Sequence, residues 1–363
     1  MKTRDLLKLG LWWLMLTAGT AMAADNNRFV DVSIQIFTRA VPPPTAAEHQ
    51  DKQERDKKDP NGPKAEPVQA VLATETRLLP MYLRYRLEQS GSFGAVRVVP
   101  QPDQGAELRI TGEILKSDGS VLELAIKAQD SSGKIWLDRS FKGTAAPSQS
   151  LNGDQLAQDD FASLFGEIVS ALKQQAQQLD SSHYDNIHNV ALLRYGLGLA
   201  PAAFSPYLDE DKDGTVSIKR MPANDDPLFK RILDIRDREY QFIDVVDEDY
   251  GRFYTKAYPL YVLWRQSERE QVESSTSRNT EALANTGGFS RGSYHALLQS
   301  YNNYRWVKLQ ELYVDELGEG FTNEVEPTQV ELNDSVFRLT GNLDQQYRQW
   351  RDILAQLLAL DKQ

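Results

Sequence analysis

A chain of 363 residues with a formal net charge of −11 and no cysteine excludes several classes of protein. Without cysteine there are no disulfides and no thiolate metal sites. An acidic chain that lacks a basic cluster is a poor candidate for binding nucleic acid or anionic lipid. The length is enough for about two or three domains, and their stability must rest on apolar burial.

The N-terminus has the pattern of a secretory signal peptide. Basic residues precede an apolar run over residues 9–18, and small residues at the −3 and −1 positions end the segment. These flanking residues are Lys2, Arg4 and Lys8, then Ala21 and Ala23. The pattern predicts a signal peptide over residues 1–23, cleaved after Ala23. The run is too short for a stable membrane anchor, and Ala24 stands where a lipoprotein needs cysteine. We therefore expect an unlipidated periplasmic protein with no integral membrane segment after cleavage; extracellular release is the alternative.

Residues 24–180 have the element order of an α+β domain. An alternating strand at 29–37 precedes a polar, proline-containing segment at 42–67, which is typical of a disordered loop. A helix at 68–89 follows, with Pro80 kinking it or starting its second half. The remaining predicted elements are a strand at 95–99, antiparallel strands at 108–114, 122–126 and 135–141, and a helix at 156–179. We expect the helices to pack on one face of the sheet.

Residues 181–320 are predicted to form a helical hairpin with coiled-coil character. Asp226 and Pro227 have the pattern of an N-cap and first helical position. A long helix with a kink at Pro259 is expected to run towards residue 272, followed by a polar connector at 274–292 and a second helix at 294–317. Residues 321–363 are predicted to be a β-hairpin plus helix, turning at 333–334 and opening the helix with a capping box of Asn342 and Gln345.

The best metal-binding pattern is an acidic loop that matches the front half of an EF-hand. It has acids at positions 1, 3 and 5, Gly214 at position 6, and oxygen donors beyond; the candidate ligands are Asp209, Asp211, Asp213, Thr215 and Ser217. The twelfth position, where a bidentate glutamate is needed, is Arg220. The sequence therefore predicts weak calcium binding at most, and an acidic turn without metal is the alternative. No other cofactor is expected.

No residue of the sequence is predicted to be catalytic. It contains no HExxH and no cysteine that could act as a thiol nucleophile. Its histidines are not spaced as ligands on one helical face; they are His49, His183, His188 and His295. With 52 acidic residues, the sequence does not exclude a catalytic pair of carboxylates, so a cell-wall-acting hydrolase stays an alternative.

Tyrosine and tryptophan concentrate in the helical half, between residues 240 and 313. A packed helix–helix seam is the first interpretation of these aromatic residues. A partner-binding face is the second, because Tyr and Trp dominate interface hot spots. On the predicted second helix, Tyr304 lies at the edge of the inward stripe and Trp306 falls roughly opposite it. These two residues are the candidate partner-binding residues.

Two segments carry a resemblance to known envelope proteins: LRYRLEQSGSFGAVRVV at 83–99 and the meander that begins AELRITGEILKSDG at 106. This half of the chain resembles the α+β domain of penicillin-binding-protein activator and curli-secretion lipoproteins and the amino-terminal domain of TolB. The whole chain also resembles an uncharacterised family of exported proteobacterial proteins, through segments such as LRYGLGLAPAAF at 193–204 and FRLTGNLDQQYRQWRDIL at 337–354. The resemblance implies an adaptor role without catalytic residues.

These observations predict a non-enzymatic periplasmic protein that mediates protein–protein contacts in assembly or regulation of the cell envelope. Its partners would be envelope proteins. The alternatives are the cell-wall-acting hydrolase and a calcium-stabilised exported factor.

Overall fold

The computed structural model describes residues 29–40, 65–145, 159–223, 225–284, 328–332 and 335–360. The fold is α+β, as the sequence predicts, with a six-stranded mixed sheet in the N-terminal half. The strands lie in the order β3-β1-β4-β5-β6, and the short β2 pairs with β4 beyond the end of β1. They are β1 (Val32–Gln35), β2 (Thr38–Arg39), β3 (Val96–Val99), β4 (Leu108–Ser117), β5 (Val121–Asp130) and β6 (Ile135–Thr144).

The sheet combines a parallel and an antiparallel part. Strand β1 is parallel to both β3 and β4, and helix α1 (Ala65–Gln89) connects the β1–β2 region to β3. Strands β4, β5 and β6 form the predicted antiparallel meander. The turns that join them contain Gly119 and Gly133, both at positive φ, which glycine adopts without steric cost.

One face of the sheet is covered by α1 and by α2 (Ala162–Ala176). Alternate strand positions place Ile34, Ile110 and Leu124 in this core, where the helices contribute leucines and Phe165. Helices therefore lie on one face of the sheet, as predicted. The helix α1 is one continuous element through Pro80, and the buried neighbours Leu79 and Met81 hold that part of it against the core.

The second part of the chain is built on a long helix. After α3 (Ser181–Leu199), α4 (Pro201–Phe204) and a 3-10 turn, a β-hairpin of β7 (Leu208–Glu210) and β8 (Val216–Ile218) leads to α5 (Pro227–Ala284). The Asp226 carboxylate accepts hydrogen bonds from the backbone N–H groups of Leu228 and Phe229, which confirms the predicted N-cap. At about 1.5 Å per residue, the 58 residues of α5 extend roughly 87 Å.

The C-terminal hairpin and helix are as predicted. Strands β9 (Thr328–Leu332) and β10 (Ser335–Leu339) pair antiparallel, and α6 (Leu343–Leu360) follows. The capping box is present: the Gln345 N–H donates to Asn342 Oδ1 at 2.9 Å, and the Asn342 N–H donates to Gln345 Oε1 at 2.9 Å. Trp350 and Leu354 of α6 join Phe242 of α5 in a second apolar cluster.

Several boundaries differ from the sequence prediction. Helix α1 begins at Ala65, inside the segment predicted as a loop over 42–67; residues 42–64 lie outside the described residues. Helix α5 passes through Pro259 without ending and reaches Ala284, inside the predicted connector at 274–292. The helix predicted at 156–179 begins at Ala162, and α3 was not predicted. The second helix of the predicted hairpin, at 294–317, lies outside the described residues.

The turn between β5 and β6 is where the second part of the chain docks on the sheet. Val216 of β8 donates its N–H to the Ser132 carbonyl at 2.8 Å. The buried Ser131 hydroxyl donates to the Ile187 carbonyl of α3 at 2.5 Å, and Arg194 of α3 donates to the Ser131 carbonyl at 3.0 Å. A turn that the sequence predicts only as a chain reversal therefore holds α3 and the β7–β8 hairpin.

Replacing Gly133 by alanine should weaken this docking. Gly133 has φ +92°, and a Cβ there would meet the Gly214 carbonyl oxygen well inside van der Waals contact. We expect Gly133→Ala to lower the free energy of unfolding by about 2–3 kcal/mol in urea titration, from left-handed backbone strain plus overpacking. Gly91→Ala is the matched control, because Gly91 has φ +57° and nothing within 4 Å; it should cost only about 1 kcal/mol. Equal losses would show that the contact with Gly214 is unimportant.

Candidate functional site

A polar pocket of about 220 Å³ lies on the face of the sheet opposite α1 and α2. Outward-facing positions of three neighbouring strands line it: Ser33, Gln35, Arg109, Thr111, Lys127 and Gln129. The strand register brings them together, because Ser33 is opposite Arg109, Arg109 is opposite Gln129, and Thr111 is opposite Lys127. Opposed residues on one face have Cβ atoms about 5 Å apart, so these side chains are immediate neighbours.

The segment between β3 and β4 forms one wall of the pocket, with Val99, Pro102 and Asp103. Asp103 is buried and held in place: its carboxylate accepts the Gly105 N–H at 2.8 Å and the Tyr240 hydroxyl at 3.1 Å. Burial raises the pKa of Asp103, against the lowering effect of these hydrogen bonds and of Arg236. The wall therefore carries a carboxyl group that holds its proton more strongly than an exposed aspartate.

The two cations of the pocket have no polar partner within the described part of the chain. Among the described residues, the side chains of Arg109 and Lys127 form no ion pair and no hydrogen bond. Burial and the nearby Arg194 cation lower the pKa of Arg109, and Asp103 only partly offsets them. Lys127 is opposite Asp138 on β6, without forming an ion pair with it. A chain with a net charge of −11 thus has a local cationic pocket on its sheet.

Most other buried polar groups serve the fold. Glu75, fully buried, accepts hydrogen bonds from Arg39 at 2.7 Å, Ser117 at 2.6 Å and Tyr261 at 2.7 Å. Glu239 accepts the hydroxyl groups of Tyr195 and Tyr347. These networks fasten α5 to the sheet domain and to α6.

The described aromatic residues of the helical half are also structural. Tyr254, Tyr258 and Tyr261 of α5 are buried, and they pack in the core formed with α1 and α2. The seam they form therefore joins a helix to the α+β domain, where the sequence suggested a seam between two hairpin helices. The candidate partner-binding residues Tyr304 and Trp306 lie outside the described residues.

The two described histidines have separate roles. His183 lies at the start of α3, where its Nδ1 is 2.8 Å from Oδ1 of the N-cap Asp180. His188 Nδ1 is 2.6 Å from Glu107 Oε1, and the other oxygen of Glu107 accepts the Asp31 N–H. They do not converge on one site. Within the described ranges there is no group of three or more His, Asp or Glu side chains arranged to hold a metal.

The predicted calcium loop is the turn of the β7–β8 hairpin. Asp209 pairs with Lys219 at 3.1 Å, and Asp211 Oδ1 accepts the N–H groups of Asp213 at 3.0 Å and Thr215 at 2.9 Å. Gly214 has φ +77°, as the sharp turn requires. Ser217 lies in β8, opposite Asp209. The candidate ligands are therefore near one another in a hairpin, and Asp211 already stabilises the turn.

Calcium binding stays a prediction with a direct test. If the loop binds the ion weakly, about 5 mM calcium should raise the Tm by mass action, since extracellular-type sites have dissociation constants of roughly 0.1–1 mM. Asp211→Ala should abolish that rise, whereas magnesium at the same concentration should not reproduce it. A Tm that is the same with calcium and with magnesium would leave the loop as a simple acidic turn.

The two cations of the pocket, Arg109 and Lys127, were not predicted as site residues from the sequence. Each stands between two buried apolar residues of a strand, in Leu108-Arg109-Ile110 and Ile126-Lys127-Ala128. The alternation that predicts the strands also predicts that both side chains point outward on one face. The only signal for a site was that two outward cations stand on adjacent strands.

Comparisons with known proteins add little. No family model and no curated protein matches the chain. Among solved structures, a match is the hypothetical protein CT253 from Chlamydia trachomatis, 12% identical, with the alignment covering 41% of this chain and 99% of that one. The TM-score is 0.20, too low to support an argument about fold or function. In the described part of the chain, no helix has the length and apolar character needed to cross a membrane.

Proposed function

We propose that this chain is a non-enzymatic protein of the bacterial cell envelope that binds another envelope protein through the open face of its sheet. The observation that carries the proposal is the cationic pocket, where Arg109 and Lys127 form no ion pair with any described residue. Arg109 is only partly exposed, and a partly desolvated cation without a counter-ion costs the fold free energy. The simplest explanation for such a cation is that a bound ligand supplies its counter-charge.

The composition of the pocket favours binding over hydrolysis. Glycoside hydrolysis uses two carboxyl groups about 5–10 Å apart. Of the described residues that line the pocket, Asp103 alone is acidic, and its carboxylate is committed to Gly105 and Tyr240. The cell-wall-acting hydrolase therefore gains no support from this site.

A capture experiment tests the proposal. The mature chain, tagged at its C-terminus, would be cross-linked in periplasmic extract, and the recovered proteins compared between variants. Wild type and Lys142→Gln should recover the same partner, because Lys142 is exposed on the same face of the sheet but outside the pocket. The double variant Arg109→Gln/Lys127→Gln should lose it. Equal recovery by the double variant would show that the pocket face does not bind the partner.

The periplasmic location is part of the proposal. Its support is the leader with Ala21 and Ala23. N-terminal sequencing of the protein from the soluble periplasmic fraction should begin at Ala24. An intact N-terminus in the membrane pellet would contradict both export and cleavage.

A further inference from the structure

We infer that the pocket on the open sheet face binds a carboxylate group, held by Arg109 and Lys127. The inference rests on the proposed function and names the chemistry that the partner must present. Arginine binds carboxylates through two parallel N–H···O hydrogen bonds, and lysine adds a point charge. Both cations line one pocket from adjacent strands, and among the described residues neither has an anion of its own.

The rest of the lining suits a carboxylate attached to a small organic group. Ser33, Thr111 and Gln129 offer hydroxyl and amide groups beside the cations, and Val99 and Pro102 supply an apolar wall. The volume of about 220 Å³ is below the roughly 300–1,000 Å³ of pockets that enclose drug-sized ligands. A side chain or chain terminus therefore fits better than a nucleotide or a sugar chain.

Asp103 bears on which type of anion the pocket accommodates. It is the acidic residue of the lining, and burial raises its pKa. Its carboxylate accepts the Gly105 N–H and the Tyr240 hydroxyl, and among the described residues it forms no ion pair with Arg109. Beside an acidic residue, a singly charged carboxylate is repelled less than a phosphate dianion.

The same carboxylate chemistry can come from a free metabolite or from a protein. Isothermal titration of the full mature chain, at constant ionic strength, would compare four probes. These are sodium propionate, an N-acetylated and C-terminally amidated peptide with one glutamate, the same peptide with glutamine and a free α-carboxylate, and sodium phosphate. The strongest binder among the three carboxylates identifies the source.

Saturable binding of at least one carboxylate is the expected result. Arg109→Gln should weaken it by about tenfold or more, the equivalent of losing a charge-assisted hydrogen bond. Lys127→Gln should weaken it as well, and Lys142→Gln should leave it unchanged. Arg109→Lys, which keeps the charge without the planar fork, should fall between wild type and Arg109→Gln.

The Tm of each variant distinguishes a loss of binding from a loss of folding. Because Arg109 forms no ion pair or hydrogen bond with any described residue, the Tm of Arg109→Gln should equal or exceed that of wild type in the absence of probe. If that variant unfolds, Lys127→Gln, at an exposed position, carries the same comparison.

The outcomes separate this inference from the proposed function. Binding of phosphate alone, or of no probe at all, would overturn the carboxylate inference even if the capture experiment succeeded. Carboxylate binding that depends on Arg109, together with failed capture of any partner, would support the inference and overturn the proposed protein–protein function.

Discussion

Replacing Asp159 by alanine is expected to lower the free energy of unfolding by about 3–5 kcal/mol, the usual cost of leaving one charge of a buried pair uncompensated. Asp159 and Arg265 are 3% and 1% exposed, with Oδ2 and Nη2 2.5 Å apart. The Tyr258 hydroxyl also donates to Asp159. Without the carboxylate, the charged group of Arg265 would retain, among the described residues, its contacts with the rings of Phe161 and Tyr261. Urea titration monitored by circular dichroism would measure the loss.

The neighbouring ion pair provides a matched control. Asp160 pairs with Arg269 at 2.5 Å, but the two side chains are 16% and 14% exposed. Asp160→Ala should therefore cost about 1 kcal/mol or less. Adding Arg265→Met to Asp159→Ala removes the stranded cation and should recover most of the loss. If Asp159→Ala costs no more than Asp160→Ala, the buried pair does not hold α5 to the sheet domain.

This pair shows which part of the fold the sequence could predict. The aromatic residues of the helical half are predicted to form a packed seam, and Tyr254, Tyr258 and Tyr261 are buried. They pack with α1 and α2, and the nearby contact between Asp159 and Arg265 joins residues 106 positions apart. Periodicity reports that a face is apolar, whereas the surface that covers it depends on how distant elements pack.

The local elements were more predictable than their limits. The strands of the meander, the N-cap at Asp226 and the capping box at Asn342 each depend on residues within a few positions of one another. The ends of α1 and α5 depend on more than local propensity. Both helices continue through a proline, so tertiary packing of the helix must offset the roughly 3 kcal/mol that an interior proline costs.

The candidate site could not be predicted because it depends on the register in which neighbouring strands pair. Arg109 and Lys127 are 18 positions apart, and each alone resembles a solvated strand residue. The pairing of β4 with β5 places Thr111 opposite Lys127 and Arg109 opposite Gln129, which brings the two cations into one pocket. What distinguishes them from ordinary surface charges is the lack of a counter-ion among the described residues, and this is visible only in three dimensions.

The stability of the protein should fall as the pH rises from about 4 towards 7, through the buried carboxyl group of Asp247. This side chain of α5 is 1% exposed. Its Oδ2 accepts the Val98 N–H at 3.1 Å and lies 3.1 Å from Arg84 Nη1, while its Oδ1 has no hydrogen-bond partner among the described residues. Burial raises the pKa of Asp247 from 3.8 to about 7, outweighing the attraction of Arg84.

The direction in which stability changes with pH follows from proton binding at Asp247. Between the ordinary pKa of 3.8 and the raised value of about 7, the folded protein holds a proton at Asp247 that the unfolded chain has released. Raising the pH therefore favours unfolding, and this group contributes up to about 1.4 kcal/mol of lost stability per pH unit in that range. The contribution is fully present as stability below pH 3.8 and is lost once the pH exceeds about 7.

Asp247→Asn isolates this effect, because the amide oxygen can still accept the Val98 N–H but the group cannot ionise. The variant should come closest to wild type near pH 3.5 and exceed it by an amount that grows towards pH 7.5, measured as the free energy of unfolding in urea. Asp244→Asn, three positions earlier on α5 with a side chain 54% exposed and paired with Arg97 at 2.7 Å, should keep most of the wild-type slope. A constant difference between wild type and Asp247→Asn across this pH range would mean that Asp247 is ionised in the folded protein throughout, and that Arg84 compensates for its burial.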